Sequence, residues 1–217
     1  MRNLLRKEMR LAASPLPYLF VLFGLMFFLP GYPVLCGAYF AALGIFQGFR
    51  NAREANDVVF SALLPVAKRD VVKGKFLFVC LIEGCAFLLM AVPTALRMTV
   101  LSQAAVYRDN ALLNANLFAL GTACVIFGLF NRIFVCGFFR TAYKLGPPFV
   151  LFSVVCFLVI AAAEALPHAP GLERLNACVA EEPVLQTCLL AAGILIFLLT
   201  TVLSYLRARG RFESVDL

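Results

Sequence analysis

Six apolar runs, of which the last four are close to the length that crosses a bilayer and the first is short, constrain the fold of this 217-residue chain more than any other feature. The runs cover residues 16–29, 34–49, 76–96, 111–130, 149–166 and 184–206. A transmembrane helix needs about 20 mainly apolar residues, because its backbone must satisfy its own hydrogen bonds in hydrocarbon. Hydrophobic residues make up 63% of the chain and charged residues 14%, whereas soluble domains have about 25% charged residues. The sequence therefore predicts a single all-α transmembrane domain over residues 1–217 and excludes a soluble or disordered chain.

The basic residues sort to one side of this domain when the loops are assigned alternately to the two sides of the membrane. With the N-terminus inside, 16 of the 19 Lys and Arg residues lie on the inner side, and Arg97, Arg108 and Arg174 lie outside. Cytoplasmic loops carry such an excess of Lys and Arg. The sorting predicts that both termini are cytoplasmic. It also explains the net charge of +7 by membrane orientation, so no nucleic-acid partner is expected.

Residues 1–13 have the pattern of an amphipathic helix in the plane of the cytoplasmic headgroups. Arg2, Arg6 and Arg10 recur every four residues and form one stripe, while apolar side chains form another. Such helices bury their apolar face in the interface and place their arginines on anionic lipid. We therefore expect membrane lipid to be the partner of this segment.

The sequence carries no motif for catalysis, nucleotide binding or a metal site. The eight cysteines include no C-x-x-C pair and the only histidine is His168, so a zinc site is not expected. Gly74-Lys75-Phe76 lacks the Ser or Thr of a Walker A loop, and no G-x-S-x-G occurs. Most cysteines lie in or beside apolar runs, but Cys178 lies in a polar loop, where a bond to Cys188 is an open alternative. The chain is predicted to bind no cofactor or metal and not to be an enzyme.

Glu83 is the one acid clearly inside a predicted span, and it lies about 12 Å along the helix from Lys75. An ionisable group in hydrocarbon is costly, so it is a functional candidate by default. Two interpretations stay open: Glu83 lies on a substrate path or in an ion pair, or it faces the protein interior, paired with Arg132, and serves packing. In both, we expect Glu83 to face protein or water rather than lipid.

The second apolar run has small residues on one face. Gly37, Ala41, Gly44 and Gly48 recur at intervals of three or four residues. Small side chains at this spacing let two helix backbones approach closely in a membrane. The pattern predicts a tightly packed helix pair.

The most informative polar stretch is residues 50–75, between the second and third runs. Asn56 or Asp57 can cap a short helix there, and a proline ends it. The apolar face of this helix consists of Val59, Phe60, Leu63 and Leu64. An apolar face on the cytoplasmic side must be buried, and either the bilayer surface or a cytoplasmic partner protein can bury it.

The end of this stretch resembles a family signature. Residues 63–76 read LLPVAKRDVVKGKF and are similar to the pattern LPvsR-x-iv-x-GKy, which follows the second helix of type-2 ABC exporter permeases. The basic N-terminal helix, the six-run layout and the turn at residues 138–146 are also similar to the short six-helix branch of that family. The chain departs from the pattern at Ala67, where the family has Ser or Thr.

This resemblance implies six transmembrane helices, an N-terminal interfacial helix and a short cytoplasmic coupling helix, in the permease subunit of an ABC exporter of the bacterial cytoplasmic membrane. Such a permease forms a homo- or heterodimer with a second permease subunit and binds two copies of a separate ABC ATPase, which hold ATP and Mg. Peptides, toxins or antibiotics are the implied substrates. The residues implied to contact the ATPase are Arg53, Glu54, Asp57, Val59, Phe60, Leu63, Leu64, Pro65, Lys68 and Arg69.

Two other classes stay open beside the exporter. A vitamin-binding S-component of an importer also has six spans, but its first span usually carries an A-x-x-x-A face, and residues 16–29 contain no alanine. The second class is a non-transport six-span protein, such as a channel, an immunity protein or a membrane enzyme, since six spans alone do not define a function. A neighbouring gene for an ABC ATPase favours the exporter.

Overall fold

A computed structural model of the chain describes residues 7–9, 15–55, 67–102, 104–108, 110–140, 144–177 and 181–213. All regular elements in these ranges are helical, which confirms the predicted all-α class. By length and composition, four helices could cross a membrane: Lys68–Thr99, Leu117–Arg140, Gly146–His168 and Pro183–Phe212. The membrane character is therefore confirmed, while the number of six spans stays a prediction.

The helices differ in length and regularity. The first segment begins as α1 (Pro15–Val21) and continues as a 3₁₀ helix (Leu22–Phe28). The elements that follow are α2 (Cys36–Glu54), α3 (Lys68–Thr99), α4 (Ala105–Arg108), α5 (Leu117–Phe130), a π-helical segment (Asn131–Val135), α6 (Cys136–Arg140), α7 (Gly146–Ala165), two 3₁₀ turns (Leu166–His168 and Glu173–Asn176) and α8 (Pro183–Glu213).

Several helix ends differ from the ends of the apolar runs, because local hydrogen bonds and packing fix them. α2 continues to Glu54, whose carboxylate accepts a hydrogen bond from Arg50 at 3.0 Å. α5 begins only at Leu117, since the Asn116 side chain accepts a hydrogen bond from the backbone N–H of Ala119 and so caps the helix. α8 extends through the basic residues after 206, where Phe212 is buried.

One end of the bundle, which we call the basic end, is formed by the end of α2, the start of α3, α6 and the end of α8. The Lys75 ammonium lies 5.6 Å from the centroid of the Phe49 ring, and Phe49 lies 5.0 Å from Phe138. Phe139, next to Phe138, lies 5.6 Å from Phe212. These contacts bring the basic residues that flank the four helices to the same end.

The opposite end is formed by the connections after residues 28, 99 and 165. The backbone N–H of Leu113 donates to Glu164 at 2.8 Å, and that of Asn114 donates to Asn176 at 2.8 Å. Arg97 donates to the carbonyl oxygen of Phe27 at 3.0 Å. These contacts bring the three connections together at one end of the bundle.

α5 and α6 lie at the centre of the bundle, whereas α7 and α8 lie at its surface. The largest fully buried side chains include Phe127, Phe130, Phe134 and Phe138 of the central helices. α7 and α8 expose many large aliphatic side chains, among them Leu158, Leu199 and Leu203. In a membrane protein, such faces contact lipid or a second subunit.

The predicted small-residue face of α2 packs against the first segment. A Cβ atom added to Gly37 would lie 2.6 Å from the carbonyl oxygen of Phe23, and one added to Gly44 would overlap Phe20. Ala41 and Gly48 are also buried. This prediction of close helix packing is confirmed.

Candidate functional site

A buried polar cluster joins three helices in the middle of the bundle. The Asn131 side-chain amide donates to Glu83 Oε2 and to Thr201 Oγ1, both at 3.0 Å. Glu83 and Asn131 are 1% and 0% exposed, so neither side chain reaches the lipid. This burial agrees with the prediction that Glu83 faces protein or water rather than lipid.

The helices position these side chains in different ways. Glu83 lies near the midpoint of α3, and Thr201 lies on α8, which packs against α5. Asn131 is the first residue of the π-helical segment. π-Helical segments are rare insertions in α-helices and are frequent at functional sites. The π-helical turn at Asn131 makes this cluster a candidate functional site.

Two oxygen atoms of the cluster lack partners. Glu83 Oε1 and Asn131 Oδ1 are buried, and neither has a hydrogen-bond donor among the residues that the structure describes. Buried polar atoms are almost always paired, because an unmade hydrogen bond costs about 1–3 kcal/mol. The cluster can therefore accept hydrogen bonds from a further group.

A cavity of about 220 Å³ lies beside Glu83, between α3, α5 and α8. Its walls include Phe127 of α5 and Ile194 and Leu198 of α8. Gly84, Ile194 and Leu198 are exposed, so the cavity reaches the outer surface of the bundle. The cavity combines one carboxyl group with apolar walls at membrane depth.

Arg132 lies next to this cluster, but the residue that contacts Glu83 is its neighbour Asn131. Arg132 is half-buried in the π-helical segment. We identified neither Asn131 nor Thr201 from the sequence. An isolated Asn within the apolar sequence of 117–139 is the signal that could have indicated Asn131, whereas Thr201 has none, since threonine is common in membrane helices.

A second polar contact joins the N-terminal segment to the basic end. Lys75 Nζ lies 2.6 Å from Glu8 Oε2, and both side chains are buried. Lys7 Nζ lies 3.7 Å from Glu8 Oε1. The sequence indicated Lys75 only as part of a motif and did not indicate Glu8, which is the single acid among the basic residues of 1–13. At Glu8 the N-terminal segment thus contacts protein, whereas the predicted interfacial stripe of Arg2, Arg6 and Arg10 lies outside the described residues.

The residues predicted to contact an ATPase are only partly described. Asp57, Val59, Phe60, Leu63, Leu64 and Pro65 lie outside the described residues, as does Cys178. Arg53 and Glu54 are exposed at the end of α2, and Glu54 is bonded to Arg50. Arg69 is exposed and Lys68 half-buried at the start of α3. The two flanks of the predicted coupling segment therefore lie at the basic end.

The opposite end carries a polar network of its own. Arg97 donates to Asn114 Oδ1 at 3.0 Å, and its guanidinium lies 4.2 Å from the centroid of the Tyr107 ring. The buried Gln186 accepts from the backbone N–H of Phe118 and donates to the carbonyl oxygen of Leu175. Lys75 and Arg97 are about 33 Å apart along α3, close to the thickness of about 30 Å for a bilayer's hydrocarbon core. Glu83 lies between these two levels.

Comparison with known families gives one match. A family model described as "ABC-2 family transporter protein" matches residues 3–208. No curated protein and no solved structure matches the chain. The matched region contains the Lys75–Glu8 pair, the Glu83 cluster and the whole of residues 50–75.

Proposed function

The chain belongs to the ABC-2 family of transporter proteins, and on that premise we propose that this membrane permease is the subunit of an ABC exporter. It moves a small or amphipathic substrate outward across the bacterial cytoplasmic membrane. The observation that carries this proposal is the family match along residues 3–208. This match favours the exporter over an importer's S-component and over a channel, an immunity protein or a membrane enzyme.

Energy enters the proposed transporter through a protein contact. The sequence contains no Walker A loop, so ATP and Mg are held by a separate ABC ATPase, of which two copies serve a dimer of permease subunits. Residues 50–75 are the proposed contact. The exposure of Arg53, Glu54 and Arg69 on both flanks of this segment supports the proposal.

The mechanism is a switch between two states of the permease. Closure of the ATPases on ATP moves the coupling segment, which is joined directly to α2 and α3. α3 also holds Glu83, so a tilt of α3 against α5 and α8 changes the cluster and its cavity. Binding energy from ATP drives transport only if the ATPase contacts differ between the two states.

Phe60→Asp tests the coupling contact. A charge on the apolar face of residues 59–64 meets the buried centre of the proposed interface, where a few large side chains usually dominate affinity. We expect the variant to insert in the membrane but to lose the co-purifying ATPase and substrate export. Tyr32→Asp is the matched control, because Tyr32 is an exposed aromatic residue in the turn at the opposite end.

The outcome decides whether the ATPase or the bilayer surface buries this apolar face. Loss of the ATPase in Phe60→Asp and its retention in Tyr32→Asp support the proposed contact. If Phe60→Asp keeps the ATPase and export at the wild-type level, the segment lies on the bilayer surface and the assignment of the coupling residues is wrong.

A further inference from the structure

The two oxygen atoms of the Glu83 cluster without a partner among the described residues indicate which kind of group could bind there. Asn131 Oδ1 is an acceptor, and Glu83 Oε1 is an acceptor whenever the carboxyl group is ionised, so a donor group would satisfy both atoms. An ionised carboxylate at membrane depth is also expensive unless a positive charge lies beside it. A group that carries both N–H donors and a positive charge satisfies the two requirements together.

None of the residues that the structure describes places such a group in the cavity. The nine residues that line it include no Lys, Arg or His. Lys75, the basic residue of α3 nearest to Glu83 in sequence, is bonded to Glu8 at 2.6 Å. A cation that occupies the site therefore comes from a ligand.

The other residues that line the cavity favour a small ligand with an apolar part. The rings of Phe87, Phe127 and Phe197 line the cavity, and aromatic faces attract cations as well as apolar groups. The volume of about 220 Å³ is below the 300–1,000 Å³ of typical drug-sized pockets. It suits a primary ammonium group joined to a single ring or to a branched aliphatic chain.

The opening of the cavity fits entry from the membrane. Its exposed lining residues, Gly84, Ile194 and Leu198, lie on α3 and α8, the two helices that border the opening. We propose that this cavity binds the ammonium group of a hydrophobic primary amine, with Glu83 as the counter-ion. The inference rests on the proposed export function and names the substrate class of that exporter. Amphipathic peptides belong to this class through their amino groups.

Direct binding to the full-length chain in lipid nanodiscs tests the site. Radiolabelled 2-phenylethylamine is the probe, because it has one aromatic ring and a primary ammonium group. We expect saturable binding that the neutral 2-phenylethanol and the anionic 3-phenylpropionate do not displace, since neither supplies a charged donor to Glu83. No saturable binding to folded wild-type protein, or equal displacement by the neutral or anionic analogue, overturns the proposal.

Two variants change the site in independent ways. Glu83→Gln removes the charge but keeps the size of the side chain, and we expect it to weaken binding about 30-fold or more. Gly84→Leu adds bulk at a residue that lines the cavity while Glu83 stays in place, and the added Cβ atom meets no atom within 4 Å, so we expect folded protein with weaker binding. Thermal unfolding establishes that each variant is folded before its affinity is measured.

Glu164→Gln is the matched control for these variants. Glu164 also has a buried oxygen without a partner among the described residues, but it lies on α7 and does not line the cavity. Unchanged binding in Glu164→Gln together with weak binding in Glu83→Gln supports the site. Equal affinity of wild type and Glu83→Gln overturns it.

The binding assay also separates this inference from the proposed function. It needs no ATPase, so a Phe60→Asp chain that has lost its ATPase is expected to bind the amine with wild-type affinity. If the amine binds but is neither exported nor alters the rate of ATP hydrolysis by the assembled complex, the site stands and the export function fails. If export is measured but the amine does not bind, the export function stands and the site is refuted.

Discussion

At the scale of single residues, Glu8 and Glu83 are two buried acids of the described bundle, and their environments differ. Glu8 lies between Lys75 and Lys7, so its charge is compensated by two ammonium groups. Glu83 contacts the neutral amide of Asn131 and has one oxygen without a partner among the described residues. The Glu8 site is compensated within the protein and joins the N-terminal segment to α3. The Glu83 site is open to a ligand.

The Glu8–Lys75 pair is expected to stabilise the fold through compensation of charge. Glu8→Gln removes the carboxylate that contacts Lys75 and Lys7, and breaking a buried pair in this way costs about 3–5 kcal/mol. We expect Glu8→Gln to lower the free energy of unfolding of the purified chain by that amount. The double variant Glu8→Gln, Lys75→Met, which also removes the buried ammonium group, recovers most of the loss.

An exposed pair supplies the control for this cycle. Arg50 and Glu54 are bonded at 3.0 Å but more than half exposed. Glu54→Gln is expected to change the free energy of unfolding by less than about 1 kcal/mol. An equal effect of Glu8→Gln and Glu54→Gln would show that the Lys75–Glu8 contact does not stabilise the molecule.

At the scale of helices, the crossing of α5 and α8 depends on glycine. A Cβ atom added to Gly193 would overlap the backbone of Gly121, and one added to Gly121 would lie 2.7 Å from the carbonyl oxygen of Leu189. Close backbone approach is a common way for membrane helices to associate, because lipid provides no hydrophobic force between them. This crossing also sets the distance between Asn131 and Thr201, which lie further along the same two helices.

Gly193→Ala is expected to separate α5 from α8. The added methyl group meets backbone atoms that cannot turn away, and overpacking of this kind costs about 1–3 kcal/mol or more. Gly210→Ala on the same helix is the control, because a Cβ there meets no atom within 4 Å and alanine favours the helix by up to about 1 kcal/mol. The free energy of unfolding is measured for both variants. A loss in Gly193→Ala but not in Gly210→Ala shows that the helix crossing, and not the helix itself, requires glycine.

At the scale of the whole molecule, the two ends differ in charge and in construction. The basic end is held by aromatic rings and the Lys75–Glu8 pair, and it carries basic residues that include Arg140 and Arg211. The opposite end is held by hydrogen bonds among loops, as between Asn116 and Leu175. This asymmetry, together with the sorting of Lys and Arg, favours a cytoplasmic basic end.

Cysteine labelling in intact cells tests this orientation. In a variant without native cysteines, Glu173→Cys is expected to react with a membrane-impermeant maleimide added from outside, because Glu173 is exposed at the opposite end. Arg53→Cys, exposed at the basic end, is expected to react only after permeabilisation. Reaction of Arg53→Cys in intact cells would contradict cytoplasmic termini and a cytoplasmic coupling segment.

The sequence by itself determined the membrane class and the small-residue face of α2, and it indicated Glu83 as an acid within an apolar run. These features follow from hydrophobicity, charge and local periodicity, which are properties of neighbouring residues. Only the tertiary structure decided which groups meet: Glu83 with Asn131, Asn131 with Thr201 and Lys75 with Glu8 are 48, 70 and 67 positions apart. The partner of a buried polar group depends on how each helix is rotated and how closely it packs, and glycine contacts such as Gly121 with Gly193 set that packing between distant segments.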